Sequence, residues 1–85
     1  MFGLQVGGRP VDVVRVMEAL ADQDVTVLIK ADAERLRDGT KPWTFVATGK
    51  PFHEDLLVRA EGRSVEACLA EGLPRLRELG LVIPE

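Results

Sequence analysis

Residues 24–61, which read DVTVLIKADAERLRDGTKPWTFVATGKPFHEDLLVRAE, decide the fold of this chain. Three segments within that stretch, 24–30, 43–48 and 56–61, alternate between apolar and polar side chains. Alternation with period two, together with a Gly-Lys-Pro turn signal after the second segment, is typical of half-buried strands. The three segments therefore predict an antiparallel β-meander.

One face of each predicted strand is apolar and is expected to point into the core. The apolar faces are Val25, Val27 and Ile29 in the first strand, Trp43, Phe45 and Ala47 in the second, and Leu56, Val58 and Ala60 in the third. Trp43 is expected in the core, because a chain this small needs its large apolar side chains inside.

The connection between the first two strands, residues 31–39, is longer than a tight hairpin. Asp32 can cap a short helical turn and Gly39 can close it. A helical excursion and an extension of the strand are both compatible with this segment.

Outside the meander, an amphipathic helix is predicted on each side. The first helix runs from Pro10 to about Asp22, because proline suits the first helical turn. Its apolar stripe consists of Val13, Val16, Met17 and Leu20.

The second helix begins after Ser64, a good N-cap residue, and ends at Gly80. Its apolar stripe consists of Val65, Cys68, Leu69, Leu73, Leu76 and Leu79. The stripe keeps its phase across Pro74, which predicts a kink near Gly72 rather than a break.

Two terminal segments complete the predicted fold. Residues 2–6 alternate and predict a short N-terminal edge strand or an ordered arm, whereas residues 81–85 form an extended tail that packs on the sheet or on a partner. The prediction is therefore one α+β domain over residues 1–85, a three-stranded antiparallel meander packed with two helices in the order α-β-β-β-α.

Composition narrows the classes of function. The chain has 85 residues, of which 46% are hydrophobic and 29% charged, and such a short chain builds a thin core that association commonly supplements. We therefore expect a homodimer or a complex with another protein. The net charge of −3 and the pI of about 5.1 do not favour nucleic-acid binding, but they suit a basic protein partner, such as a small basic toxin.

Cysteine usage and hydropathy indicate a compartment. A single cysteine, Cys68, allows no internal disulfide, and no apolar stretch approaches the roughly 20 residues that span a bilayer. We expect a cytoplasmic protein that does not bind membranes.

No set of residues predicts catalysis, so we expect no enzyme and no catalytic residue. His53 is the only histidine, and Cys68 lies on an apolar helical stripe, which indicates a buried core thiol. Glu54 and Asp55, next to His53, are expected to diverge rather than converge on a metal. The sequence predicts neither a metal site nor a cofactor.

The candidate contact residues are Lys50, Phe52, His53 and Arg59, proposed for protein binding. An exposed Phe52 would be a binding anchor beside Lys50 and His53. Lys50, Arg59 and Arg63 form either a small basic patch or a solvated strand face.

Residues 57–69 (LVRAEGRSVEACL) and the ending Gly80-Leu81-Val82-Ile83-Pro84 resemble the HicB-like antitoxin domain. The likeness covers residues 43–84 and implies a strand–strand–strand–helix core that neutralises a toxin by contact. The predicted element order also resembles the double-stranded-RNA-binding domain. That family places a lysine cluster at the start of its last helix, where this chain has Ser64-Val65-Glu66-Ala67.

We therefore expect a non-enzymatic protein-binding module, such as an antitoxin, an immunity protein or a phage-type inhibitor. The alternative is a nucleic-acid-binding module of double-stranded-RNA-binding-like fold.

Overall fold

The computed structural model describes residues 4–6, 9–52 and 57–84, with side chains from residue 12 onward. The predicted α+β class is confirmed, and the described elements follow an N-terminal β-ribbon in the order α-β-α-β-β-α. The elements are β1 (Leu4–Val6), β2 (Arg9–Val11), α1 (Val13–Ala21), β3 (Val25–Ala31), α2 (Ala33–Asp38), β4 (Trp43–Gly49), β5 (Val58–Gly62) and α3 (Val65–Glu78).

The predicted meander is present as an antiparallel sheet with strand order β3-β4-β5. Its register pairs Leu28 with Val46 and Val46 with Arg59, so that β4 is central and the other two strands are at the edges. The third strand begins at Val58, two residues later than predicted, and Leu56 lies outside the described residues.

The N-terminal segment differs from the prediction. Leu4–Val6 pairs antiparallel with Arg9–Val11 in a separate two-stranded sheet, and Phe2 lies outside the described residues. The prediction that Pro10 opens the first helix is wrong, because Pro10 belongs to β2. Asp12 caps α1 instead, and its carboxylate accepts a hydrogen bond from the Arg15 backbone N–H at 3.2 Å.

The long connection after β3 is a helical excursion, which settles the alternative left by the sequence. The Asp32 carboxylate accepts a hydrogen bond from the Arg35 N–H at 3.0 Å and so caps α2. Gly39 closes the helix in the left-handed region, with φ of 72°. Both capping residues are those that the sequence indicates.

Helix α3 starts after Ser64 as predicted and ends at Glu78, two residues before the predicted Gly80. The Ser64 hydroxyl accepts the Ala67 N–H at 3.1 Å, and the helix continues through Pro74 without a break. Pro74 and Ala70, whose carbonyl loses its helical donor, are both exposed, so solvent can hydrate that carbonyl. On the same helix Arg75 Nη2 lies 3.0 Å from Glu71 Oε1, an ion pair at i,i+4 spacing.

The chain leaves α3 through a Schellman motif. Gly80 has φ of 89° and donates its N–H to the Arg77 carbonyl, while the Leu81 N–H donates to the Leu76 carbonyl at 3.1 Å. This turn directs the following residues back onto the protein, where the side chains of Leu81 and Ile83 are both 8% exposed. The tail therefore packs on the chain's own core.

The side chain of Gln23 also attaches that tail to the rest of the protein. Gln23 Nε2 donates to the Val82 carbonyl at 2.7 Å, and the Val82 N–H donates to Gln23 Oε1 at 2.9 Å. The side-chain amide thus makes the pair of bonds that a neighbouring strand would make.

We expect Gln23→Ala to lower the free energy of unfolding by about 1–3 kcal/mol, since three hydrogen bonds to the main chain are lost, two to Val82 and one to the Ala19 carbonyl. Urea unfolding measures this change. Gln23→Glu keeps an acceptor for the Val82 N–H but has no donor for its carbonyl, so an intermediate loss is expected. A Gln23→Ala variant as stable as the wild type would show that the tail is held by other contacts.

The core lies on one face of the sheet. Helices α1 and α3 pack on that face, and the buried apolar residues are Val16, Leu20, Val25, Phe45, Ala47, Phe52, Val58, Ala60, Cys68, Leu69, Leu73, Leu76, Leu81 and Ile83. The predicted inward faces are confirmed for the described residues, with Trp43 only half-buried against the core. The other face of the sheet, hereafter the open face, carries Thr26, Leu28, Lys30, Thr44, Val46, Thr48, Arg59 and Glu61.

Candidate functional site

The outer edge of β3 presents its main chain to solvent. The Asp32 N–H donates to the Pro42 carbonyl at 2.8 Å, and the Lys50 N–H donates to the Asp24 carbonyl at 3.3 Å. In an antiparallel ladder the residues that bond to the neighbouring strand alternate. The even-numbered residues of β3 therefore bond to β4, and the odd-numbered residues direct their N–H and C=O groups outward.

The outward groups belong to Val25, Val27, Ile29 and Ala31. Among the residues that the structure describes, no strand pairs with this edge and no hydrogen bond reaches these groups. Natural proteins usually protect an exposed edge with a proline, a bulge or several charges. Over its seven residues β3 has neither a proline nor a bulge, and Lys30 is its only charged residue.

Exposed apolar side chains lie beside this edge. Leu28 is 56% exposed at the centre of β3, on the open face, next to the half-buried Val46. Val14 is 62% exposed on α1, the helix that packs on β3. Isolated exposed leucines are common on protein surfaces, but this one stands where main-chain hydrogen-bonding groups are also free.

A groove of about 500 Å³ runs between α1 and the first half of β3. Met17 and Ala21 of α1 form one wall, and Val25 and Val27 form the other. Glu18, Asp24 and Thr26 complete the lining. A strand that paired with the outer edge of β3 would project alternate side chains into this groove.

An ionic network occupies the other end of the open face. Arg35 Nη1 of α2 forms an ion pair with Glu61 Oε2 of β5, and Arg59 Nη2 lies 3.9 Å from the same oxygen. The Arg35 N–H also holds the pKa of the Asp32 carboxyl below its usual value. With its side chain about two-fifths exposed, the Arg35–Glu61 pair positions α2 more than it stabilises the fold.

Thr44, in the row between Lys30 and Glu61, is 1% exposed, and its hydroxyl has no hydrogen-bond partner among the described residues. It does not line the neighbouring depression of about 440 Å³, whose walls include Arg35, Arg59 and Glu61. Three of the charged side chains in these walls, those of Arg35, Arg59 and Glu61, lie together in the ionic network.

The four predicted contact residues do not form one cluster. Lys50 is exposed in the turn after β4, whereas Arg59 is exposed on the open face opposite Val46, about 13 Å further along the strand direction. Phe52 is 6% exposed and belongs to the core, because the Phe52 N–H to Gly49 carbonyl bond closes a turn that brings its side chain inward. His53 lies outside the described residues.

The predicted buried thiol is confirmed. Cys68 is fully buried, and its Sγ–H donates to the Trp43 carbonyl at 3.3 Å. Burial, together with the nearby carboxylates of Glu71 and Glu61, raises the pKa of this thiol, which disfavours the nucleophilic thiolate. Among the described residues no group of three or more His, Cys, Asp or Glu side chains could hold a metal ion.

The sequence analysis did not identify the outer edge of β3 as an exposed edge. The alternation of residues 24–30 identifies a strand but not whether the strand is central or at an edge. The one available signal was Leu28, which is apolar yet stands on the polar face of its own alternation.

No described helix has the length and apolar character needed to cross a membrane. Comparison with known proteins adds no assignment to this geometry. No protein-family model, no curated protein and no solved structure matches the chain.

Proposed function

We propose that this chain is a non-enzymatic protein-binding module and that its partner adds an extended strand to the outer edge of β3. The observation that carries the proposal is the free edge itself, whose outward N–H and C=O groups lie beside the exposed Leu28. Strand addition of this kind takes affinity from the main chain and specificity from alternate side chains.

The charges around the edge favour a basic partner strand. Glu18 and Asp24 line the groove beside β3, and Asp12 and Asp22 are also exposed at the two ends of α1. Arg15 is the only basic residue of α1. A lysine or arginine in the incoming strand would therefore meet complementary charge at this side of the domain.

This mode of action suits the three roles expected from the sequence: an antitoxin, an immunity protein and a phage-type inhibitor. Each works by covering a surface of its target, and none requires chemistry by the binding protein. Neutralisation of a small basic toxin is the role that the HicB-like resemblance favours.

Leu28→Lys is expected to weaken partner binding at least about tenfold, because a charge at the centre of an edge strand opposes strand pairing. The wild-type chain is used to isolate its partner from the native source. The partner is then identified by mass spectrometry, and the binary affinity is measured by calorimetry with purified components. Leu79→Lys is the matched control, since Leu79 is 44% exposed at the end of α3 and not on the sheet.

Hydrogen exchange provides a second measurement on the same complex. The amides of Val27 and Ile29 should become protected when the partner binds, whereas the Leu28 amide is already bonded to β4 and should change little. Equal affinities for Leu28→Lys and Leu79→Lys, without protection of Val27, would argue against the edge as the binding element. Salt-sensitive binding of RNA in place of a protein would support the alternative nucleic-acid function.

A further inference from the structure

We infer that a second copy of this chain occupies the outer edge of β3, so that two three-stranded sheets join into one six-stranded sheet across a two-fold axis. The inference rests on the proposed function, since the same edge pairs with a strand, and it names β3 of a second copy as the strand that occupies the edge until another protein displaces it. The supporting observations are the alternation of the outward N–H and C=O groups along β3, the side chains on the open face and the shape of the groove.

The alternation of outward main-chain groups along the edge limits the registers in which two copies can pair. Hydrogen-bonded pairs between the copies must join odd-numbered residues, because only these have outward N–H and C=O groups. The antiparallel register that uses the full strand pairs Val25 with Ala31 and Val27 with Ile29 of the second copy. By symmetry the reverse pairs also form, so every outward group of both strands finds a partner.

The same register brings exposed apolar side chains of the two copies together on the open face. Leu28 stands opposite Leu28 of the second copy, in the closer, non-hydrogen-bonded type of pair. These two exposed leucines, next to the half-buried Val46 of each copy, would shield one another from water. A single polar residue at position 28 would remove this gain without affecting the core.

The charged residues beside the edge do not meet within the seven paired residues. Lys30 stands opposite the uncharged Thr26 of the second copy. Asp24 precedes the strand and has a left-handed backbone, with φ of 64°, so its side chain does not continue the alternation of β3. The carboxylate of Asp32, just beyond the strand, is already engaged in capping α2.

The groove between α1 and β3 has room for side chains of the second copy. In this register Ile29 of the second copy faces Val27 on the groove side, and Ala31 faces Val25. Ile29 is only half-buried within its own chain, and the groove walls formed by Met17 and Ala21 are apolar. One isoleucine from each copy therefore enters the groove of the other.

Cysteine cross-linking tests the register directly. Leu28→Cys places two thiols opposite each other across a pair whose Cα atoms are about 4.5 Å apart, within the range of a disulfide. Thr26→Cys is the matched control on the same strand and face, because its two copies would be about 13 Å apart. Cys68 does not interfere, since it is fully buried.

Under mild oxidation we expect Leu28→Cys to form at least about tenfold more disulfide-linked dimer than Thr26→Cys. Without any cysteine substitution, Ala21→Arg should raise the dimer dissociation constant in sedimentation velocity by at least about tenfold, because it fills the groove. Ala70→Arg, at another exposed helical alanine, should leave that constant unchanged. Circular dichroism confirms that each variant is folded.

A wild-type chain that sediments as a monomer at all concentrations, with equal cross-linking at positions 26 and 28, would overturn this inference. If Leu28→Lys still abolished binding of a different protein under those conditions, the proposed function would stand and only the inference of a second copy at this edge would be wrong. If the dimer formed but Ala21→Arg and Ala70→Arg behaved alike, the arrangement at the groove would be refuted.

Discussion

Phe45→Ala is expected to lower the free energy of unfolding by about 3–5 kcal/mol, because the change leaves a large cavity at the centre of the core. Phe45 is fully buried in the central strand, between Ile29 of β3 and Ala60 of β5. A chain of 85 residues has about 4–13 kcal/mol of stability in total by the usual range per residue. The loss is therefore a large fraction of what holds the domain together.

Urea unfolding followed by circular dichroism measures this loss. Leu36→Ala is the control, since Leu36 is 67% exposed on α2 and should change stability by less than about 0.5 kcal/mol. If Phe45→Ala does not fold, Phe45→Leu provides a milder substitution for the same measurement. A loss below about 1 kcal/mol for Phe45→Ala would mean that the core closes around the missing ring.

The phenyl ring also explains why α3 contains a glycine in its middle. A Cβ atom at Gly72 would lie 2.9 Å from Cδ1 and 3.0 Å from Cε1 of Phe45. The absence of a side chain therefore lets α3 approach the sheet closely. Gly72→Ala should be less unfavourable in the Phe45→Leu background than in the wild type, and a double-mutant cycle measures that coupling.

Gly49→Ala is expected to have the second large effect, a loss of about 3 kcal/mol or more. Gly49 has φ of 152°, a backbone conformation that residues with a Cβ rarely adopt. A Cβ atom there would lie 2.2 Å from the Asp24 carbonyl oxygen, a main-chain atom that cannot move aside as a flexible side chain could. The end of the β3–β4 ladder would have to open, together with the bond from the Lys50 N–H.

Gly39→Ala separates the two causes of this loss. Gly39 also has a positive φ, 72°, but a Cβ there would meet nothing within 4 Å. For Gly39→Ala we expect only backbone strain, which lowers the free energy of unfolding by about 1 kcal/mol. The larger loss for Gly49→Ala measures the collision with the Asp24 carbonyl. Thermal unfolding of both variants measures the difference, and similar melting temperatures would contradict the collision.

Much of the fold followed from local sequence signals. The alternation of residues 24–30 and 43–48 located two strands, and the capping residues Asp32, Gly39 and Ser64 marked helix ends. These signals are readable because each depends on neighbours within a few residues. The prediction that Pro10 opens a helix failed because proline also suits an edge strand, and pairing with Gln5, five residues earlier, decides between the two.

The candidate site was much less predictable. An edge strand differs from a central one only in whether another strand lies beside it. Neither composition nor periodicity therefore shows that the backbone N–H and C=O groups of Val27 and Ile29 are unpaired in the sheet. Phe52 was ambiguous for a similar reason, since the turn after Gly49 determines whether its ring faces inward. The attachment of Val82 to Gln23 joins residues 59 positions apart, and no local pattern indicates it.

The alternation along β3 also limits how the strand can evolve. A single residue inserted into it would exchange the inward and outward main-chain groups and, at the same time, move Leu28 from the open face to the core. Length changes are therefore tolerable only in steps of two. Thr26 and Lys30 have exposed side chains outside the core, so each can be substituted singly. Related sequences could therefore differ in which strand pairs with β3 while the fold stays the same.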